Sequence, residues 1–290
     1  MSKATKYSLV DLKHDFPDDA TTVGFIFEAR HNRKCSCGGT YKRLKDRRQF
    51  QCGKCRFQIA PTTGTIFHKS DTPLSLWFHA IWVFSNAKSG ISAKEMERQL
   101  GVTYKTAWRI LKLIRTALGQ GVKKLKGDLE MDEAYFGGHH YAGKNNKNMG
   151  AAMSKKATVI GAVERGGSMK AEVTPNAQAE TIGQFLGKNV AQDGTRLLTD
   201  ESNRYNTVAK GYDRHMVNHS KSEFVRGDVH VNHIETFWAH VKRSMKGTHK
   251  VISKQYLQSY LDGFVFHYNN RSNDNQRFVD LLSILVSSSK

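Results

Sequence analysis

The stretch Asp128-Leu-Glu-Met-Asp-Glu-Ala-Tyr-Phe136 alternates apolar and polar residues with a period of two. That is the pattern of a half-buried strand, with Leu129 and Met131 on one face and Glu133 a candidate for the same side. Thr158-Val-Ile-Gly-Ala-Val163 and Met169-Lys-Ala-Glu-Val173 read as two more strands, separated by the turn residues Gly166-Gly167. Gln178 to Val190 has helical spacing, with Ile182, Phe185 and Leu186 inward. Thr195-Arg-Leu-Leu-Thr-Asp200 is a fourth strand that ends on an acid, and His215 to His219 is a short fifth. Helices are expected from about Asn232 to Lys246 and from Ser253 to Tyr268. Three strands, helix, two strands and helices make a mixed α/β layer.

Acids at strand ends carry the chemistry in such a layer. Asp132 sits in the first strand, Asp200 closes the fourth, and Glu235 lies one turn into a helix able to return beside them. Three converging carboxylates repel one another unless they bind hard divalent cations through oxygen. A pair of Mg²⁺ ions about 4 Å apart can activate a water or 3′-hydroxyl and stabilise the leaving oxygen of a phosphodiester. Any one of these acids alone would be read as a solvated surface carboxylate. Lys242 stands seven residues after Glu235, two turns along the same helix face, with Arg243 beside it. Both are candidates for DNA phosphate.

Upstream the composition changes. The chain has 290 residues and a formal charge of +19, yet residues 1–126 hold 24 Lys and Arg against 9 Asp and Glu, and residues 127–290 hold 21 against 17. The join falls in Gly119-Gln-Gly-Val-Lys-Lys-Leu-Lys-Gly127, which has linker composition. A basic half of this kind is the footprint of a nucleic-acid partner. All four cysteines, Cys35, Cys37, Cys52 and Cys55, lie within 21 residues. Cys52-Gly-Lys-Cys55 has zinc-knuckle spacing, and four thiolates close a tetrahedral structural Zn²⁺ site. Cys35-Ser-Cys37 is one residue shorter than the usual pair, which puts metal binding in question. From Arg33 to Arg56 nine Lys and Arg face Asp46 alone; Arg47 and Arg48 are the DNA-contact candidates there.

Thr72-Pro73 opens a helix with Leu76, Trp77, Ile81 and Phe84 at helical spacing. Ser92 with Glu95 reads as a capping box, Leu100-Gly101 ends that helix, and Thr103 caps a longer basic one with Ala107, Ile110, Leu111 and Ile114 inward. Short helix, Gly turn and basic helix is the helix-turn-helix arrangement. Tyr104, Lys105, Arg109 and Lys112 are then the groove-facing candidates. An ordinary helical hairpin is the plain alternative.

The ordered set of zinc ribbon, helix-turn-helix, Met131-Asp132-Glu133 with Gly137-Gly138, Val159-Ile-Gly161, Thr199-Asp200-Glu201 and Asn232…Glu235…Lys242 resembles DDE transposases of prokaryotic insertion sequences. Within them it is similar to the subgroup with an N-terminal zinc ribbon. Tyr260-Leu-Asp-Gly-Phe-Val-Phe-His-Tyr-Asn-Asn-Arg271 resembles the family's closing helix, and the likeness covers roughly residues 30–272. It implies an RNase H-like core, two Mg²⁺ or Mn²⁺ ions, and strand cleavage followed by joining at element ends. Asp132 and Asp200 become the first two metal ligands and Glu235 the third, with Lys242 positioning DNA. Asn232 is the alternative to Glu235, because some members carry Asn in place of the third acid.

The expected architecture is therefore α/β: an RNase H-like mixed-sheet catalytic domain over 127–272, preceded by a zinc ribbon over 31–60 and a helix-turn-helix region over 70–118. Residues 1–30 form an unassigned N-terminal segment and 273–290 a C-terminal tail. The expected partners are double-stranded DNA, as terminal repeats and target, and a second copy of the chain, since joining two ends needs two active sites. A non-catalytic DNA-binding regulator and a metal-dependent nuclease on the same fold are the competing readings. No stretch approaches the roughly 18 apolar residues of a membrane helix, and the N-terminus lacks a signal-peptide core. The expected location is cytoplasmic, on the nucleoid. Of the histidines between His215 and His240, His219, His230 and His233 read as phosphate-contacting or loop residues and His240 as a surface residue.

Overall fold

In the computed structural model, residues 7–119, 121, 123–137, 156–274 and 276–287 are described, apart from the side chain of His219. The chain forms two compact units, residues 1–119 with 270–290 and residues 120–269. The division falls within the segment read as the join.

The first unit begins with α1 (Leu9–Asp15) and α2 (Asp19–Arg30). Their starts are set by local chemistry: Ser8 and Asp11 form a reciprocal capping box, and the Asp18 carboxylate accepts from the Thr21 N–H. A small antiparallel sheet follows, β1 (Tyr41–Arg43), β2 (Phe50–Cys52) and β3 (Gln58–Ile59). It is tied to α2 by the Phe27 and Phe50 rings, stacked with centroids 3.9 Å apart. Then come α3 (Leu74–Asn86), α4 (Ala93–Leu100) and α5 (Tyr104–Leu118). In α3 the fully buried residues include Leu74, Trp77, Phe78 and Ile81, while Leu76, expected inward, is only half-buried.

The expected tail is a helix. Arg277–Ser287 buries Phe278, Leu281, Leu282 and Leu285 and packs against α2, α3 and α5. Arg277 is itself buried, donating to the carbonyls of Ser85 at 3.3 Å and Asn270 at 3.1 Å and pairing with Asp274. Two backbone carbonyls and one acid make a buried guanidinium tolerable.

The second unit holds β4 (Leu125–Phe136), β5 (Ala157–Glu164), β6 (Met169–Thr174), α6 (Ala179–Asn189), β7 (Val190–Thr199), α7 (Tyr205–Val208) and β8 (Asp213–Met216). It closes with α8 (Asn232–Ser244), a π-helical turn over Met245–His249, and α9 (Lys254–Asn269). The sheet order is β6-β5-β4-β7-β8. The β4–β5 and β5–β6 pairs are antiparallel, and β7 and β8 run parallel to β4. This mixed five-stranded sheet fits an RNase H-like core. Strand β5 is buried from Ala157 to Val163 because both of its faces are covered. Leu129, Met131 and Ile160 pack with α6 on one face; Ala134, Phe136 and Val159 pack with α8 and α9 on the other. No helix among the described residues is long and apolar enough to cross a membrane.

Candidate active site and thiolate cluster

Register brings the acids to one face of the sheet. In the parallel pair, Glu130 on β4 lies opposite Leu198 on β7, so Asp200, two residues on, is level with Asp132. Leu198 belongs to the cluster on the α8 face, and the period of two turns Asp200 the same way. On its other side Asp132 pairs with Gly161 of β5. A Cβ at Gly161 would lie 2.5 Å from the Trp238 ring and 3.2 Å from the Ile234 side chain. Only a bare α-carbon lets α8 approach that closely, and Glu235 is the residue after Ile234. The charge of Glu235 consequently acts on Asp132, as does that of Asp200.

Burial pushes the Asp132 carboxyl up to about 7, helped by the neighbouring charges of Glu133, Asp200 and Glu235. Among the described residues, none of Asp132, Asp200 and Glu235 is ion-paired with a Lys, Arg or His. A group of acids without a direct ion pair fits a hard divalent cation. Glu133 points to the opposite face, as its spacing suggests, and accepts from the Tyr205 hydroxyl at 2.5 Å. The backbone after Asp200 is held by Arg214 of β8, which donates to the carbonyls of Asp200 (3.1 Å) and Ser202 (3.3 Å) and to Thr199 Oγ1 (3.0 Å).

Glu130 escapes the sequence reading. Its side chain is 0% exposed, on the same face as Asp132. Its Oε2 accepts from the backbone N–H groups of His233 (2.7 Å) and Ile234 (3.3 Å) in the first turn of α8. Its Oε1 receives Arg165 Nε at 2.9 Å and faces Nδ1 of His233 at 2.7 Å and of His230 at 3.2 Å. Thus the central strand itself caps the helix that carries Glu235. No local signal in the sequence marks Glu130, because its helix partners lie a hundred residues away. His230 and His233, read as phosphate-contacting or loop residues, are instead part of this anchor. Arg165 on the oxygen they share opposes a metal ion there. His240 is half-buried against the Phe264 ring.

In the first unit the four cysteines meet despite their irregular spacing. All four sulfurs lie within 4.8 Å of one another, with Cys35 to Cys55 at 3.7 Å and Cys37 to Cys52 at 3.5 Å. Tetrahedral zinc at about 2.3 Å from each sulfur needs about 3.8 Å between sulfurs. The short Cys35-Ser-Cys37 pair works because the next turn is tight: a Cβ on Gly39 would lie 2.5 Å from Cys52 Sγ. The Tyr41 hydroxyl, 3.3 Å from Cys35 Sγ, and the Cys37 backbone hold the Cys35 thiol down to about 6, favouring the ligating thiolate.

Helix α4 ends at the left-handed Gly101, and Thr103 caps α5 by accepting from the Thr106 N–H. Ser92 accepts from the Glu95 N–H, but the Glu95 side chain turns to Arg98 and Gln99, so only half of the expected capping box forms. Ala107, Ile110, Leu111 and Ile114 are buried, while Tyr104, Lys105 and Arg109 are exposed. Lys112 lies over the Trp108 ring at 5.2 Å. Arg47 is exposed. Arg48 is not a free cation: it donates to the Ser70 carbonyl (2.7 Å) and the Thr72 carbonyl (3.1 Å) and pairs with Asp19 (2.8 Å). In the second unit Lys242 stands 5.9 Å from the Phe136 ring centroid, and Arg243 is exposed.

The family described as the ISXO2-like transposase domain matches residues 124–269, the span of the five-stranded sheet and its covering helices. An "uncharacterized protein in transposable element ISH50" of Halobacterium salinarum is 26% identical over 228 residues, covering 74% of this chain and 76% of that protein. A chain from the cryo-electron-microscopy structure of the simian T-cell lymphotropic virus intasome in complex with PP2A regulatory subunit B56 gamma is 10% identical. It covers 65% of this chain and 68% of its own, with a TM-score of 0.29.

Proposed function

The chain belongs to the ISXO2-like transposase domain family, the insertion-sequence transposases of the DDE type, and from that premise we propose that it cuts and joins DNA strands at the ends of its own element. The observation that carries this reading is Asp132: a carboxyl buried on the central strand and pushed up to about 7, with Asp200 and Glu235 acting on it.

Asp132, Asp200 and Glu235 would hold two Mg²⁺ or Mn²⁺ ions. When bound, such ions lower the pKa of an attacking water or 3′-hydroxyl and stabilise the leaving oxygen of the phosphodiester. The remaining work belongs to the chain. Glu130 fixes the first turn of α8, and Gly161 lets that helix lie close to the strand, so Glu235 is delivered without a search over conformations. Lys242 neutralises a strand phosphate two turns further along, with Arg243 beside it. Attack by water or by the 3′-hydroxyl is direct, without a covalent enzyme intermediate. The cysteine cluster acts as a zinc ribbon and α4–α5 as a helix-turn-helix, reading the terminal repeats through Tyr104, Lys105, Arg109, Lys112 and Arg47. Two chains assemble on two ends.

The test uses labelled element-end DNA with Mg²⁺ or Mn²⁺. The wild type cleaves it and transfers the strand to a target duplex, while Asp132→Asn binds it and does neither. Cleavage without joining would identify a nuclease. Binding by a wild type that never nicks would identify a regulator. Equal activity of both proteins removes Asp132 from the chemistry.

A further inference from the structure

Beyond Lys242, at the C-terminal end of β4, the second unit contains a cavity of about 260 Å³. Its floor includes Phe136 and Leu257, and Lys242, Lys246, Lys250 and Lys254 line it. All four lysines are exposed. The lysines in ion pairs among the described residues are others, such as Lys88, Lys94 and Lys188.

The backbone here is unusual in two ways. The chain leaves α8 through the π-helical turn Met245–His249, a form enriched at functional sites. Lys250 then adopts φ +61° and ψ −67°, a γ-turn closed by the Val251 N–H donating to the His249 carbonyl at 2.7 Å, which is rare and strained for a non-glycine residue. Together these bend the chain so that lysines four residues apart ring one hollow, where a continuous helix would set them in a stripe.

We propose that this cavity takes one unstacked nucleotide of a single DNA strand, its base on the apolar floor and its flanking phosphates on the lysine rim. The inference rests on the strand-transfer reading and adds a binding site to it. A free phosphate gives no reason for the apolar floor. A duplex presents its bases stacked and paired, and a hollow of this size admits one base. Two rulers place the cavity relative to the acids. From Asp132 to Phe136 is four strand residues, about 13 Å, and from Glu235 to Lys242 is seven helical residues, about 10 Å. A stacked strand covers that distance in about three to four nucleotides. A strand whose phosphate lies at the carboxylates thus reaches the cavity close to the reacting end.

The experiment uses the full chain in EDTA, so that no turnover occurs. A 16-nucleotide single strand, with 2-aminopurine scanned along it, and the corresponding duplex are titrated from 50 to 200 mM salt. Binding of the single strand should change 2-aminopurine fluorescence at one or two positions. Lys246→Ala with Lys250→Ala should lower the single-strand salt slope by about 1.4, since each phosphate contact contributes about 0.7, and should remove the fluorescence change. Val251→Glu, at a lining residue that is 75% exposed, should remove that change without altering the circular dichroism spectrum. Lys210→Ala, exposed elsewhere in the unit, should leave both readings as they are. Equal losses on duplex and single strand, or no loss at all, would overturn the cavity assignment even with joining intact. Persistence of the single-strand effects in a wild type that never joins DNA would uphold the cavity and overturn the transposase reading.

Discussion

The two acid-or-thiol clusters of this chain are built on opposite principles. In the first unit four thiols converge, with two sulfur pairs at 3.5 and 3.7 Å and all four within 4.8 Å of one another, and four thiolates would leave a bound metal no open position. In the second, three carboxylates, the ligands of the proposed reading, come from β4, the end of β7 and α8, and burial with mutual repulsion drives Asp132 to about 7. A metal bound by all four thiolates would complete that site and close it. On the proposed reading the carboxylate site keeps positions for substrate, so its strain must be carried by the surrounding framework. That framework is the buried Glu130 anchor, the bare Gly161 and the Arg214 brace, where the cysteine cluster has the bare Gly39 against Cys52 Sγ and the Tyr41 hydroxyl on Cys35 Sγ.

Perturbing each cluster should therefore have a different signature. The largest effect is expected from the ribbon: Cys52→Ser, or zinc removal by chelator, should forfeit on the order of 10 kcal/mol of metal-linked folding. Loss of one equivalent of zinc by elemental analysis, with loss of element-end binding, checks this. A ribbon that stays folded without metal would erase the contrast.

Next is Glu130→Gln, which leaves Arg165 beside an uncharged partner inside the protein; breaking a buried pair costs about 3–5 kcal/mol. Thermal unfolding reports that cost. Because α8 carries Glu235, Mn²⁺ binding followed by electron paramagnetic resonance should weaken roughly 10–100-fold, as for other residues that hold metal ligands in place. Unchanged Mn²⁺ affinity would make Glu130 a plain stability residue.

The third perturbation has the opposite sign. The folded Asp132 carboxyl titrates above its ordinary value of 3.8, so its stabilising contribution is complete below about 4 and is lost as pH rises through about 7. Metal-free Asp132→Asn should then be more stable than the wild type at pH 8, by at most about 4 kcal/mol, and little different at pH 4. Saturating Mg²⁺ should narrow the gap at pH 8. Equal melting temperatures at both pH values would show that the acids do not strain the fold. The smallest effect is expected from Gly161→Ala, about 1–3 kcal/mol of overpacking against Trp238, with cleavage reduced because α8 must retreat. A melting temperature within 1 °C of wild type would remove Gly161 from this account.

The strands of the second unit were legible because apolar residues alternate with polar ones along residues 128–131 and run almost unbroken through the doubly covered β5. Asp132 and Asp200 could be set side by side from their places in the strand order alone. Glu130 was not legible: in a chain with 26 Asp and Glu, nothing local distinguishes an acid that caps a helix a hundred residues away. The same holds for Arg48, one of several cations in the ribbon, which three-dimensional packing commits to Ser70, Thr72 and Asp19. The short cysteine pair looked like a defect by spacing, because spacing does not report how tightly Gly39 turns. Residues 1–30 gave no assignment from sequence, because the packing partners of α1 and α2 lie far away along the chain.

The helix Arg277–Ser287 has a consequence for synthesis. It belongs to the first unit, while all of residues 120–269 lie between it and the rest of that unit. A nascent chain therefore finishes its carboxylate-bearing unit before the basic unit can bury Phe278 and Leu282. The carboxylate-bearing unit is made whole first, and the unit with the cysteine cluster is completed after it, within the same round of translation.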